Sequence, residues 1–335
     1  MMEQILSKNL KHCGIKKLYM MEAPLVSIII PCYNAEKYLT NCLNSVLRQD
    51  WSHFEIICIN DGSSDHTQCL LDEMQKKNNR IFVYSQENKG VAMARDFGVK
   101  VSKGEYIMFL DADDTLVDSA LLLMMERALS KDRPDIVVSS CNIIQNDKIK
   151  RNKIIDFHSL DQLSYLKMIL TGVCGWELWA KLFKREIFTR KQIHLPDFRM
   201  AEDGAVLIQL ICASVLIKSC PIPIYNYIQH PTSATHTKSI EYVEDTLRAG
   251  DFVQEYLKKY DFYESMKDYV SAFHLLLYST STRRGYLNRK NKYVKAILVD
   301  HLRLKSLRLI PFKKAIYVFS LLKLHADLLL KFIYK

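Results

Sequence analysis

"EYIMFLDADDTLVD", residues 105–118, is an apolar run that ends abruptly in three carboxylates, Asp111, Asp113 and Asp114. Its first half reads as a buried strand and its second half as that strand's charged tip. Like charges this close repel, and each is costly to hold away from water unless something positive sits among them. Either the tip is a solvated turn or a cation belongs there.

The residues before it set the context. "LVSIII" (25–30), "FEIICIN" (54–60) and "IFVYS" (81–85) have the composition of strands, with Asp61-Gly62 as a turn signal after the second. Helical spacing runs through "AEKYLTNCLNSVLRQ" (35–49), "DHTQCLLDEMQKK" (65–77, with Asp65 as its N-cap) and "GVAMARDFGVKVS" (90–102). This alternation predicts βαβ units: an α/β fold with a mainly parallel sheet flanked by helices. Ligands of such sheets bind beyond the carboxyl ends of the strands. Pro31-Cys32-Tyr33-Asn34, Asp61, Asp111 and Asp113 therefore fall on one functional edge.

Past about residue 150 the pattern changes. A helix is expected over 161–172. "CGWELWAKLFKREIF" (174–188) is aromatic and mixed in sign, and "FRMAEDGAVLIQLICAS" (198–214) enters a helix through Glu202-Asp203-Gly204. Residues 225–237 read as a loop, and from 241 the chain is helical and increasingly basic. The division expected is an extension (1–23), an α/β domain (24–235) and a helical basic region (236–335).

Over 335 residues, 49% apolar and 25% charged composition is that of a globular protein. Nine cysteines without a CxxC pair disfavour a disulfide framework or structural zinc and suit reduced thiols in a cytosol. Residues 1–23 hold no long apolar segment of the kind a secretory signal needs. The net charge of +10 is uneven: residues 281–335 carry fourteen Lys/Arg against two Asp, leaving 33 basic and 35 acidic residues before them.

Five blocks in order, "VSIIIPCYNAEKYLTNCLNSVLRQ", "EIICINDGSSDHT", "ENKGVAMARDFGV", "GEYIMFLDADD" and "FRMAEDGAV", resemble the family 2 glycosyltransferases of the GT-A (Rossmann-like) fold, over about residues 25–230. The resemblance implies inverting transfer from a nucleotide-diphosphate sugar, with a uracil base, assisted by Mn²⁺ or Mg²⁺. It implies that Pro31, Tyr33, Asn34 and nearby Glu36 line the nucleotide, that Asp61 recognises the base, and that Arg95 lies on a helix beside the nucleotide. Asp96 stands where the family often has Asn. Asp111 and Asp113 match the Asp-x-Asp motif, with Asp113 on the metal and Asp111 on ribose or metal. Asp203 matches the proposed base, beside Glu202. Trp176, Trp179 and Lys181 lie in a block near the acceptor, and His236 in "TSATHT" is a candidate to cover the phosphates.

Physical chemistry runs in the same direction. A diphosphate beside Asp111 and Asp113 is repelled unless a hard divalent cation bridges them. Inversion needs one base on the face opposite the leaving group. Blander readings exist for each residue. Asp61-Gly62 also makes a plain turn, Asp203 also makes a plain N-cap, Lys181 and Lys184 also suit a solvated surface, and His194 and His230 also suit structural positions. A rival reading takes "DADDT" as a phosphatase strand tip with Asp111 as nucleophile; another is an inactive nucleotide-binding module. A dehydrogenase is disfavoured because no G-x-G-x-x-G follows a strand.

"AIYVFSLLKLHADLLLKFIYK" (315–335) is too interrupted by Lys323, Asp327 and Lys331 to span a bilayer. Three readings compete for its wide apolar face: packing on the enzyme's own body, a homodimer contact, or the interface of an anionic membrane. The last fits a peripheral enzyme on the cytoplasmic face that extends a glycan, lipid-linked in that setting, in cell-surface polysaccharide synthesis. No nucleic-acid reading motif accompanies the basic residues.

Overall fold

The computed structural model describes residues 23–322 apart from 191–192, 231–237, 283–284, 286 and 288–290. Strands β1 (Val26–Cys32), β2 (Phe54–Asp61), β3 (Ile81–Gln86) and β4 (Tyr106–Phe109) alternate with helices α1 (Leu39–Leu47), α2 (Thr67–Lys77) and α3 (Val91–Val101). They pair in parallel in the order β3-β2-β1-β4. All eight residues of β2 are buried, as expected of a strand covered on both faces. Register places Cys32 opposite Asn60 and Ile29 opposite Phe109. The residues following β1, β2 and β4 therefore share one edge.

Helix α3 approaches this sheet closely because Gly98 has no side chain; a Cβ there would collide with Ile29 Cγ2 of β1. Ala94, Arg95 and Gly98 form the buried face of the helix. The close approach thus carries Arg95, one turn earlier on the same face, into the sheet edge.

Beyond β4 the sheet becomes mixed. The chain continues through β5 (Thr115–Leu116), α4 (Ala120–Ala128), β6 (Ile136–Gln145), β7 (Lys148–Lys153), β8 (Ser159–Asp161), α5 (Gln162–Leu170), β9 (Lys181–Lys184), α6 (Ile187–Arg190), α7 (Glu202–Ala213) and β10 (Leu216–Ile228). The main path is β3-β2-β1-β4-β9-β6-β10-β5. Strand β9 lies antiparallel between β4 and β6. The parallel pattern expected from the sequence is thus the first half of a mixed sheet. "KLFK" is too short for its period to be told from a helix turn. One expectation is corrected: Tyr225–Ile228, read as loop, ends the 13-residue strand β10. Pro221 and Pro223 interrupt its pattern, and the ladder to β6 shifts register around Pro223.

The C-terminal region comprises α8 (Ile240–Lys259), α9 (Tyr263–Ser281), α10 (Lys292–Ala296), a π-helical turn (Ile297–His301), α11 (Leu304–Leu309) and α12 (Phe312–Leu322). Helix α8 packs on α7, and α9 on α5 and α8. One buried cluster runs from Ile29 and Phe109 of the sheet to Leu247, Phe273 and Val318 of these helices. Inside it, His274 and His301 stack with ring centroids 3.8 Å apart and planes 7° from parallel. Ser271 Oγ lies 3.2 Å from His301 Nδ1.

Burial holds the folded-state pKa of His301 down at about 4, against an ordinary 6.5. Nearby Asp300 opposes this, and Arg303 and Lys258 add to it. Burial and the charge on His301 also push His274 well below the usual range. Both rings are neutral in the folded state at neutral pH, so their stabilisation is complete above pH 6.5 and is lost as pH falls toward 4. The stability difference between the protein and His301→Gln, measured by urea unfolding, is expected to shrink over that interval by up to about 1.4 kcal/mol per pH unit. A difference that is flat with pH would contradict it.

Candidate active site

The tip of β4 resolves the three carboxylates into three situations. Asp114 is buried at 1% exposure. It accepts hydrogen bonds from the Tyr225 hydroxyl (2.7 Å) and the Ile228 amide (2.7 Å), which tie the tip to the end of β10. Burial, with Asp111 and Asp113 close by, pushes its pKa well up. Asp111 pairs with Arg95, Nη2 to Oδ1 at 2.7 Å. Asp113 has no basic side chain in ion-pair contact among the described residues. Burial and the Asp111 charge push it up to about 6, against a smaller opposing effect from His230. The ring of His230 stands 4.2 Å from that of Tyr38.

Arg95 also reaches the far side of the site. Its Nη1 lies 2.5 Å from Asp203 Oδ1 and 4.0 Å from Glu202 Oε1. Glu202 and Asp203 open α7, where free backbone N–H groups favour negative charge. The Leu178 amide donates to Asp203 Oδ2 at 3.4 Å. Burial raises the pKa of Asp203 and Arg95 draws it back. Burial and Asp203 raise Glu202 to about 8. One guanidinium thus serves three part-buried acids, and Asp113 is left over. A further cation is electrostatically favoured at this tip. Mg²⁺ or Mn²⁺ suits it, because such ions take one or two carboxylates and complete their shell with phosphate and water oxygens. Among the described residues no group of three or more His, Cys, Asp or Glu could hold a metal alone.

The loops after β1 and β2 are fastened to each other. Ser64 N donates to Asn34 Oδ1 at 2.9 Å, Asn34 N to Ser63 Oγ at 3.0 Å, and His66 N to Glu36 Oε2 at 2.9 Å. Asn34 takes a left-handed φ of 49° to do so. Pro31 lies within β1, and Tyr33 is left 54% exposed beside this seam. Asp61 is buried and holds the loop before α3: it accepts from Gln86 Nε2 (2.7 Å), Lys89 N (2.8 Å) and Gly90 N (2.9 Å).

The aromatic block lies on the opposite side. Trp176 meets Phe273 of α9 edge-on at 5.3 Å, and a Cβ on Gly204 would stand 3.2 Å from it. Trp179 stacks on Tyr225 (4.8 Å) and Tyr227 (5.4 Å). Lys181 is buried and donates to the carbonyls of Glu177 (2.6 Å) and Trp179 (3.4 Å); burial pushes its pKa down. Lys153 pairs with Glu177 at 2.7 Å. Lys184 donates to the Arg133 carbonyl at 2.8 Å, the backbone of His194 is held by the Gln209 side chain of α7, and its ring lies 3.3 Å from Lys259 Nζ. Lys181, Lys184 and His194 are therefore committed to the scaffold, and His236 lies outside the described residues. Tyr225 and Glu177 joined the site's framework without being singled out in the sequence. The paired Tyr225 and Tyr227, two apart as on a strand face, were the one available hint.

The comparisons with known proteins agree with this fold. The model of glycosyl transferase family 2 matches residues 27–200, a little over half of the chain. EpsJ of Bacillus subtilis strain 168, described as an uncharacterized glycosyltransferase, is 32% identical over 222 residues, covering 63% of this chain and 63% of EpsJ's length. TuaG of the same organism, whose description assigns it to teichuronic acid biosynthesis, is 32% identical over 193 residues, 56% of this chain and 72% of TuaG. Residues 1–349 of S. aureus TarS, crystallised with UDP and with UDP-GlcNAc, share the fold. For the UDP complex the TM-score is 0.62 at 19% identity, over 91% of this chain and 87% of that one. With the family model spanning both the Asp111/Asp113 tip and the sheet edge that carries it, this chain belongs to glycosyl transferase family 2 and is a glycosyltransferase.

Proposed function

We propose that the enzyme transfers a sugar, with inversion, from a uridine-diphosphate sugar to a hydroxyl of a growing cell-surface glycan. The observation that carries this reading is the Arg95 bridge, which joins a carboxylate of the leaving-group side, Asp111, to the candidate base, Asp203. Family membership supports the transfer itself, the UDP complexes of TarS support the donor, and the description of TuaG supports polysaccharide synthesis.

Asp203 takes the proton of the acceptor hydroxyl as the anomeric carbon is attacked. A desolvated carboxylate of raised pKa is a stronger base than a solvated one, and Arg95 beside it limits that rise. The Leu178 amide and Arg95 fix its direction. Asp113, with Asp111, would hold Mn²⁺ or Mg²⁺, which when bound supplies Lewis-acid stabilisation of the leaving diphosphate. Asp61 and the Asn34–Ser64 seam form the nucleoside end, with Tyr33 available to cover it. Trp176 borders the acceptor side near the mouth of α7.

Calorimetry with UDP is expected to give binding in Mn²⁺ that is lost in EDTA and in Asp113→Ala; equal binding in all three would remove Asp113 from metal contact. Asp203→Asn is expected to keep UDP affinity and lose transfer by about 10²–10⁴-fold. Transfer within a few-fold of the parent would eliminate Asp203 as base. Arg95→Met strands three part-buried acids. We expect a stability loss of roughly 3–5 kcal/mol at neutral pH. Protonated acids need no partner, so part of that loss should be recovered on acidification; a loss that does not change with pH would argue against the bridge.

A further inference from the structure

The C-terminal helices carry an apolar surface that the catalytic reading does not use. Helix α12 is apolar on two faces. Val318, Leu321 and Leu322 are buried and pack toward α9 and α11. Phe312, Ile316 and Phe319, at i, i+4 and i+7, form another face and are 78%, 51% and 43% exposed. Leu304 of α11 and Val299 of the π-helical turn add 66% and 71% exposed side chains nearby in the chain. A helix that only had to pack on its own protein would be polar on its second face.

Charge says what kind of partner belongs there. Arg303, Lys305, Arg308 and Lys313 are exposed among these apolar residues, and none forms an ion pair among the described residues. A second copy docked through the same face would bring two basic patches together, which a symmetric contact cannot avoid. An anionic lipid surface satisfies both features at once: its headgroups meet the Lys and Arg side chains, and its acyl boundary takes Phe312, Ile316 and Phe319. No described helix is long and apolar enough to cross a membrane, so contact would be in the plane of the interface. Helix α12 rests on α9, whose Phe273 packs against Trp176. A docked surface is thereby linked through a packed helix to the acceptor side of the site.

We infer that α11 and α12 form an interfacial docking surface for an anionic bilayer. The inference does not depend on the donor or acceptor proposed above. The test is flotation of the full-length protein with phosphatidylglycerol-containing vesicles and with pure phosphatidylcholine vesicles, at low and high salt. Partition onto the anionic vesicles alone, weakened by salt, is expected. Lys305→Glu with Arg308→Glu should weaken it by roughly thirtyfold or more, on the basis of each basic residue's usual contribution. Phe312→Asp with Ile316→Asp should abolish it, with the thermal unfolding midpoint of both variants unchanged. Absence of partition, or partition that neither variant alters, overturns the inference. So does a dimer in sedimentation that Phe312→Asp with Ile316→Asp dissociates, which would assign the face to a second copy.

Discussion

The site depends on one buried cation. Arg95 is 5% exposed and stands between Asp111 at the tip of β4 and Asp203 at the mouth of α7. Burying a guanidinium is costly, and burying the carboxylates without it is costlier still. The arrangement is stable only with all its members present. It draws α7, which follows the mixed half of the sheet, against the parallel half, and it does so at the edge where the strand ends expose polar residues.

That constraint accounts for several features that look independent along the chain. Gly98 is needed because α3 must lie on Ile29 closely enough for Arg95 to reach the edge. Gly204 sits under Trp176, which lets the loop before β9 pass over the start of α7 and present the Leu178 amide to Asp203. The Lys153–Glu177 pair and the buried Lys181 hold that loop from beneath. The charged residues around position 180 are in this sense supports. Their charge is spent on rigidity, which a base that must face one direction requires.

The three acids of 111–114 show how neighbouring residues of one type are sorted by environment. Asp114 accepts from Tyr225 and the Ile228 amide and anchors the tip. Asp111 is neutralised by Arg95. Asp113 has no basic side chain in contact among the described residues, and burial raises its pKa to about 6. The single charge of Arg95 is shared between Asp111 and Asp203, so the strand tip keeps an excess of negative charge. The same sorting occurs at 202–203, where Arg95 contacts Asp203 closely and Glu202 at the limit of an ion pair.

By itself the sequence determined the βα alternation up to Leu110, the shared edge of Asp61, Asp111 and Asp113, the helix opened by Glu202-Asp203, and the family. These are local matters: strand and helix periods, turn residues and strand-end acids are all written within short windows. Only the tertiary structure decided that β9 enters antiparallel, that Tyr225–Ile228 are strand, that Lys181 is interior, and that Arg95 reaches across 108 residues to Asp203. The reason is physical. A side chain's partner is set by which elements pack together, and packing is a property of the whole core rather than of any window of the chain. The apolar and basic face of α12 belongs to both: its composition was legible, but which of its apolar residues are spent on the core and which stay exposed was settled only when the helix docked on α9.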